Sequence, residues 1–331
     1  MTGRQLGAVS GILLGVFGCM KADRWVADLT DTGIDAPIEI DVRADLAGPD
    51  LASPDLAGPD VATDVIPIWH PFSPATLIPL VSDTTDAHGT SLTADELEIY
   101  IACEEQGATT FHIWSATRSA RDGTWNAAAM VPELFGSGFD VDPDVSPDGL
   151  TLYFSTNRSG AAYQIWVSQR TGRDQAWGKP KEVKELSSPT LDRSGPSVDR
   201  SGLFMVFYSA PRDTSDYRLY SASRTDPSGS WGAIQELSGI NSGMEDADPA
   251  LFRDSYSLIW SSRGTSQGKT WDLVEVSRLD LSKPFSSQPI PLDSLNTPYA
   301  ERYPWVSQDG NHIVFSREPE TKAGAIYEAW R

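Results

Sequence analysis

The sequence predicts an all-β fold, a five-bladed β-propeller whose blades are four-stranded antiparallel sheets. First, short runs of β-branched and aromatic residues alternate with clusters of Gly, Pro, Asn, Asp and Ser, the pattern of strands and turns. Second, these runs return in the same order about every 53 residues. Third, the repeated region begins with a surplus strand and ends one strand short. Repeats of roughly 40–50 residues with about four strands each are typical of propeller blades.

The clearest copy of the repeat spans residues 139–186. A tight turn, Pro147-Asp-Gly149, lies between an acidic segment and the apolar run Leu150–Phe154. Asp-Gly between extended segments favours a hairpin, because Gly tolerates the positive φ that such turns require. A second run carries Ile165-Trp166, and a closing strand begins at Trp177. The runs are apolar on both faces, so each sheet needs a neighbour on either side.

The same markers occur in five copies along the chain. The turn residues stand at steps of 53, 53, 53 and 55 and are Asp95, Asp148, Ser201, Asp254 and Asp309. Five residues before the turn, four copies have a proline and the first has a threonine: Thr90, Pro143, Pro196, Pro249 and Pro304. The aromatic residue that opens the closing strand is Trp125, Trp177, Trp231 or Phe285.

The two ends of the repeated region complement each other. The segment Phe72–Leu80 has the pattern of Phe285–Leu292, so it is an outermost strand without a blade of its own. The last copy stops shortly after Ile326-Tyr327 and lacks that strand. We therefore expect the N-terminal strand to complete the C-terminal blade, which removes exposed edges and ties the ends together. The three inner strands of each blade are expected near residues 86–116, 139–168, 192–223, 245–278 and 300–330.

Residues 1–18 have the pattern of a secretory signal peptide. Arg4 supplies the positive start, and the apolar run that follows is too short for a permanent membrane span. The run ends Val16-Phe-Gly-Cys19, which resembles the bacterial lipobox. The resemblance implies cleavage before Cys19 and acylation of that residue with diacylglycerol and a fatty acid such as palmitate. Met20 rather than Asp follows the cysteine, which favours the outer membrane as the address.

Residues 19–68 are expected to form a disordered tether. The motif Asp-Leu-Ala-Gly/Ser-Pro repeats with a period of five from Asp45 to Pro59. Proline at every fifth position blocks helix and sheet hydrogen bonding, and the repeated Asp side chains repel one another. The propeller is then assigned to residues 69–331.

The whole-chain composition excludes some functions. The net charge is −20 and no basic stripe is present, which argues against a nucleic-acid partner. The cysteines are Cys19 and Cys103, so no internal disulfide is expected once Cys19 carries lipid. Cys103 is interpreted as a buried small hydrophobic residue. We expect a monomer that reaches the membrane through its lipid anchor.

The second copy, with Ser146-Pro-Asp-Gly149 followed by Leu-Tyr-Phe-Ser, resembles the WD40-like Pro-Asp propeller repeat. This repeat occurs in TolB-like periplasmic proteins and in many bacterial envelope lipoproteins. The resemblance covers about residues 72–331 and implies a β-propeller in an extracytoplasmic setting. It implies no single activity, because propellers carry unrelated functions.

Charged residues cluster in the segments that lead into the innermost strands. In the repeat register, Asp140, Arg193, Asp246 and Glu301 are equivalent, and His88 aligns one place later, with Arg302. We predict that such side chains converge at one mouth of the central channel and bind a ligand. The candidate set is His88, Asp140, Asp142, Arg193, Glu245, Asp246, Asp248, Glu301 and Arg302. The competing interpretation is that they only form turns and the beginnings of strands.

Two functions are compatible with these residues. The preferred one is a non-catalytic binding module for an envelope protein, a peptide or a glycan. The alternative is a glycoside hydrolase with Asp140, Glu245 and Glu301 as its carboxylates, since such enzymes pair an acid with a base or nucleophile. Those residues lie at repeated positions, which architecture explains equally well. No cofactor is predicted; Ca²⁺ stays open because it prefers carboxylate oxygens, although no EF-hand-like spacing occurs.

Overall fold

The computed structural model describes residues 70–81, 85–104, 110–160, 162–265, 270–318 and 323–331. The expected signal peptide and tether lie outside the described residues. The described part contains twenty strands and a single turn of 3₁₀ helix at Lys184–Leu186, and the strands form five four-stranded antiparallel sheets. The prediction of an all-β, five-bladed propeller is confirmed.

Four blades follow the chain in order, each from the axis outward. Blade 1 is β2 (Ala87–Leu92), β3 (Glu98–Glu104), β4 (Phe111–Thr117) and β5 (Ala129–Met130). Blade 2 is β6 (Asp140–Val145), β7 (Thr151–Thr156), β8 (Gln164–Gln169) and β9 (Lys181–Glu182). Blade 3 is β10 (Leu191–Val198), β11 (Phe204–Pro211), β12 (Arg218–Ser223) and β13 (Gln235–Glu236). Blade 4 is β14 (Asp246–Phe252), β15 (Ser257–Ser262), β16 (Asp272–Ser277) and β17 (Ile290–Pro291).

The fifth blade is completed by the first strand of the propeller, as predicted. It contains β18 (Ala300–Val306), β19 (His312–Glu318) and β20 (Ala325–Trp330), and its outer strand is β1 (Thr76–Leu77). Leu77 pairs with Tyr327. At the axis, the hydroxyl of Thr90 donates to the carbonyl oxygen of Tyr303 at 2.9 Å. Blade 1 has Thr90 where the other blades have a proline. The hydroxyl of this threonine therefore joins the first blade to the last.

The cores lie between neighbouring blades. The second strand of each blade is buried on both faces; in β3, Ile99, Tyr100, Ile101 and Ala102 are at most 1% exposed. One cluster joins Tyr100 and Ile113 of blade 1 to Leu152 and Phe154 of blade 2. Each sheet therefore buries its apolar side chains against the next sheet, and the hydrophobic effect holds the ring together.

One arginine motif recurs in all five blades near the outer rim. The residue that follows the third strand is an arginine, and its guanidinium stacks on the aromatic residue that opens the outer strand, with 4.1–4.4 Å between the guanidinium carbon and the ring centroid. The pairs are Arg118–Trp125, Arg170–Trp177, Arg224–Trp231, Arg278–Phe285 and Arg331–Phe72. Each Nε also donates to a turn carbonyl at 2.6–3.0 Å. We call these five pairs the arginine rim. The pair Arg331–Phe72 confirms the closure by side chains as well as backbone.

Candidate functional site

Every innermost strand is interrupted at the same place by an irregularity in its register. The residue at that position has φ between 51° and 62°, and the five are Gly89, Asp142, Gly195, Asp248 and Tyr303. Gly adopts this conformation at no cost and Asp tolerates it, whereas a tyrosine there is strained. Side chains alternate along a strand, and an inserted residue changes which way they point. The five residues of this bulge ring all line the central cavity.

The predicted residues two places before the bulge point into the blades instead. Asp140 is fully buried, accepts a hydrogen bond from Arg158 Nη2 at 2.5 Å, and lies 3.0 Å from His112 Nδ1. It also accepts the N–H of Gly136, four residues earlier, at 2.9 Å. This carboxylate therefore fastens the loop that leads into its own strand.

Asp246 and Glu301 repeat this arrangement. Asp246 accepts the N–H of Ser242 at 2.6 Å and the indole N–H of Trp260 at 3.0 Å. Glu301 accepts the N–H of Thr297 at 2.9 Å and the Nε–H of Arg317 at 2.7 Å. Both carboxylates are fully buried, so the equivalent positions of three blades carry the same loop contact.

The remaining two predicted residues off the axis are also engaged. Arg193 donates to the carbonyl oxygen of Leu186. Glu245 pairs with Arg263, with 2.7 Å between Oε2 and Nη1. The alternative catalytic carboxylates Asp140, Glu245 and Glu301 are each held by a different arginine, and none of the three lines the central cavity.

Four predicted residues do come together beside the axis: His88, Asp142, Asp248 and Arg302. Arg302 makes a two-point contact with Asp248, at 2.9 Å from Nε and 3.2 Å from Nη2. Asp142 accepts the hydroxyl of Tyr208 at 3.2 Å and the N–H of Gly195 at 3.2 Å. Asp142 and Asp248 are 6% and 4% exposed.

Aromatic side chains surround these groups. Four stand where the third strand of the first four blades begins and are Phe111, Tyr163, Tyr217 and Trp271. With His88, Phe139 and Tyr303 they form what we call the aromatic collar, and each of the seven is partly exposed. The backbone holds three of them against the axis, since the carbonyl oxygens of Tyr163, Tyr217 and Trp271 accept the N–H groups of Arg193, Asp246 and Glu301 at 2.9–3.0 Å.

Contacts run along the collar from one member to the next. His88 lies between Phe111 and Tyr303, with centroid distances of 4.5 and 4.7 Å. Phe139 lies 6.5 Å from both Phe111 and Tyr163. Trp271 lies 6.4 Å from Tyr217. The guanidinium of Arg302 lies 4.5 Å from the ring of Trp271 and 4.4 Å from that of Tyr303, so it bridges the collar between them.

Burial controls the electrostatics of this region. It raises the pKa of Asp142 to about 6, and the nearby Asp248 carboxylate adds to the shift. Burial also raises the pKa of Asp144, which lines the central cavity, to about 8. Burial lowers the pKa of His88 to about 3, so its imidazole is neutral and serves as a ring of the collar. Burial alone would lower the pKa of Arg302, but Asp248, Tyr303 and Glu318 raise it well above its ordinary value.

The central cavity has a volume of about 320 Å³. Its lining extends from the bulge ring along the innermost strands to the turns at their far ends, which include Arg200 and Asp309, and to Arg121 in the loop after β4. Prolines 143, 196, 249 and 304 form part of the wall. Pockets of this size bind small ligands or single side chains of larger ones.

Apart from His88, the collar aromatics were not predicted from the sequence, and neither was the arginine rim. Both sets could have been found by extending the repeat register. Phe111, Tyr163, Tyr217 and Trp271 follow one another at steps of 52, 54 and 54, and the rim arginines at 52, 54, 54 and 53. The bulge itself has no sequence signal, because Gly, Asp and Tyr share the position.

Within the described ranges, no group of three or more His, Cys, Asp and Glu side chains is arranged to hold a metal ion. Those ranges also contain no helix with the length and hydrophobicity needed to cross a membrane. Cys103 is buried, and burial raises the pKa of its thiol to about 12.

No family model matches the chain, and no curated protein matches it. Solved structures resemble it in fold. They include the putative TolB from Agrobacterium tumefaciens, at 15% identity over 71% of each chain with a TM-score of 0.43. The catalytic domain of the GH62 α-L-arabinofuranosidase of Coprinopsis cinerea has 11% identity, covers 78% of this chain and 96% of its own, and has a TM-score of 0.54. A thermostable family-43 glycoside hydrolase has 11% identity over 77% and 91%, with a TM-score of 0.51. The two glycoside hydrolases, with TM-scores above 0.5, share the fold of this chain, and identities this low establish nothing about activity.

Proposed function

We propose that this chain is a non-catalytic binding module of the bacterial cell envelope, held at the membrane by lipid on Cys19. Its ligand is a protein, a peptide or a glycan that reaches the axis of the propeller. The observation that carries this proposal is the difference among the five blades at the bulge ring. Side chains there differ from blade to blade, surround a cavity of about 320 Å³, and include a strained tyrosine.

The hydrolase alternative has less support. A glycosidase needs two carboxylates on opposite sides of one sugar, about 5 to 9.5 Å apart. Asp140, Glu245 and Glu301 are instead paired with Arg158, Arg263 and Arg317, away from the cavity lining. The fold likeness to GH43 and GH62 proteins brings no residue correspondence with it.

The test measures binding and turnover on the same preparation of full-length protein in detergent. Peptide and glycan arrays report binding, and nitrophenyl arabinofuranosides and xylosides report hydrolysis. We expect saturable binding that Tyr303→Ala weakens and no release of nitrophenol. The matched control is Tyr220→Ala, because Tyr220 lies on the third strand of blade 3 away from the axis. Nitrophenol release that Asp142→Asn abolishes would make the protein a hydrolase.

The envelope address is tested separately. Cells that express the wild type should incorporate labelled palmitate into the protein and retain it in the membrane fraction. Cys19→Ser should lose the label and leave that fraction, because stable anchoring needs the acyl chains. Cys103→Ser is the control. A label that survives in Cys19→Ser would contradict the lipidation.

A further inference from the structure

The charges and hydrogen bonds at the base of the aromatic collar are unequally satisfied. Arg302 and Asp248 satisfy each other at two points. Asp142 has a hydrogen-bond donor in Tyr208 and another in the backbone of Gly195, but both are neutral. The positive charge of Arg302 also acts on Asp142, but Arg302 is held by the carboxylate of Asp248, so the buried charge of Asp142 is compensated only in part. What Asp142 lacks is therefore positive charge rather than hydrogen-bond donors, whereas His88 Nδ1 in the collar is buried without a hydrogen-bond partner.

The surrounding charges do not correct this imbalance. Glu318 and Asp248 both act on Arg302 and on each other. Asp86 adds a further negative charge near Glu318. Three other arginines are committed elsewhere: Arg158 to Asp140, Arg263 to Glu245 and Arg317 to Glu301. Arg302 thus faces more carboxylates than it can neutralise.

The collar itself supplies the complementary feature, because the faces of aromatic rings attract cations. It already does so once, since the guanidinium of Arg302 lies between Trp271 and Tyr303 at 4.5 and 4.4 Å from their centroids. Tyr303 reaches the collar only through its strained backbone, with φ of 53°. The repeat uses glycine at the equivalent positions Gly89 and Gly195. A strained aromatic residue where architecture accepts glycine indicates a functional requirement for the ring.

We infer that the aromatic collar and the carboxylate of Asp142 beneath it form a binding site for an alkylammonium group. The rings receive the apolar, diffuse charge of such a group, and Asp142 supplies the counter-charge. A small hard metal ion would need several oxygen ligands, and no such cluster occurs among the described residues. The group belongs either to a free quaternary amine such as choline or to a lysine side chain of a peptide. This inference rests on the proposed binding function and names the chemistry that the axis recognises.

A neutral sugar fits the same region less well. Sugars are recognised largely by hydrogen bonds to hydroxyl groups, and of the four predicted residues beside the axis His88 alone, at Nδ1, has a buried side-chain atom without a hydrogen-bond partner. Breaking the contact of Arg302 with Asp248, or that of Tyr208 with Asp142, to serve a hydroxyl exchanges one hydrogen bond for another with little gain. A cation gains Coulomb energy without breaking either.

Isothermal titration of full-length protein in detergent tests the inference. The probes are choline chloride, Nα-acetyl-lysine amide, xylotriose, and 3,3-dimethylbutan-1-ol, which has the shape of choline without its charge. We expect choline or the lysine amide to bind, and the neutral alcohol to bind at least about tenfold more weakly than choline. Choline binding without lysine binding identifies a quaternary headgroup, and the reverse identifies a peptide side chain; both support an alkylammonium site.

Two variants locate the site. Asp142→Asn should weaken binding of the preferred cation about tenfold or more, since it removes the counter-charge and keeps the shape. Its matched control is Asp213→Asn, because Asp213 also has a positive φ but is exposed. Trp271→Leu should weaken binding in the same direction, and circular dichroism checks that each variant is folded.

Four results would overturn the inference: no binding of either cation, equal binding of choline and its neutral analogue, binding of xylotriose alone, or unchanged affinity in Asp142→Asn. The comparison of choline with the alcohol uses the wild type and so does not depend on the folding of a variant. If the arrays detect a peptide or glycan ligand while neither cation binds, only this inference fails and the binding function stands.

Discussion

The arginine rim and the bulge ring are built on the same five blades but differ in how strictly they repeat. At the rim, every blade places an arginine over an aromatic ring at 4.1–4.4 Å and bonds its Nε to a turn carbonyl. At the axis, the equivalent positions hold Gly89, Asp142, Gly195, Asp248 and Tyr303. Contacts that are identical in every blade are explained by the architecture, because each blade packs in the same way. Gly195 has a local packing cause, since a Cβ there would lie 2.5 Å from the ring of Tyr208. The repeat does not account for Asp142, Asp248 and Tyr303 at the same position, so these side chains mark the part of the molecule available for recognition.

The largest expected effect comes from removing the strand that closes the ring. Deletion of residues 72–81 takes away β1 and Phe72, the partner of Arg331. Blade 5 then has an open edge and an uncovered core, and repeat proteins depend on such interfaces between neighbours. We expect the thermal transition to shift strongly downward or to lose cooperativity. Deletion of ten tether residues, 50–59, is the control, and an unchanged transition in the 72–81 variant would refute the closure.

The next effect concerns a single member of the rim. Arg224→Ala removes the stack on Trp231 and the bond to the carbonyl oxygen of Gly202, and leaves that carbonyl without its partner. We expect the free energy of unfolding in urea to fall by about 2–3 kcal/mol. Arg212→Ala, at a half-exposed surface site, should change it by less than about 0.5 kcal/mol. Equal effects at the two sites would show that the rim does not stabilise the fold.

The contribution of Asp142 to the free energy of unfolding should fall as pH rises, whereas a carboxylate with a lowered pKa contributes more as pH rises. Burial raises the pKa of Asp142 to about 6 from the ordinary value of 3.8, so the folded state holds the proton more tightly than the unfolded state. Its contribution to stability is therefore fully present below pH 3.8 and is lost as pH rises through about 6. At pH 7.5, Asp142→Asn should raise the free energy of unfolding by about 1–3 kcal/mol. Parallel pH profiles of wild type and variant would contradict this.

A smaller pH effect is expected where the last blade meets the first. His312 lies 3.0 Å from both Glu96 of blade 1 and Glu328 of β20. Burial alone would lower the pKa of His312, but the hydrogen bonds to Glu328 and Glu96 raise it above 6.5. This contribution to stability is present below pH 6.5 and is lost as pH rises through the folded pKa. His312→Gln should flatten the pH dependence of the free energy of unfolding in urea above pH 6.5. An unaltered pH dependence would show that the contacts of His312 with Glu96 and Glu328 do not cause it.

The sequence was sufficient to predict the architecture because its markers are local and repeated. Pro147-Asp-Gly149 specifies a turn through backbone conformation, and the unmatched segment at Phe72 has one place to pair. The site could be predicted only in part. Asp140, Arg193, Asp246 and Glu301 are equivalent, as the register indicates, but the alternation of side chains and the bulge two residues later turn them into the blades. The bulge also places Asp142 and Asp248 at the axis. It could not be predicted from the sequence, because Gly, Asp and Tyr all occur at its position.

The most direct test of the division between rim and axis is the free energy of unfolding of Tyr303→Gly. Glycine is the residue that blades 1 and 3 use at this position, and it removes both the strain at φ 53° and the ring. Loss of the ring contacts and relief of the strain, each about 1–3 kcal/mol, should nearly cancel. We expect a stability within about 1 kcal/mol of wild type, together with loss of binding at the axis. A loss of stability as large as that of Arg224→Ala would mean that Tyr303 serves the architecture, and would contradict the account.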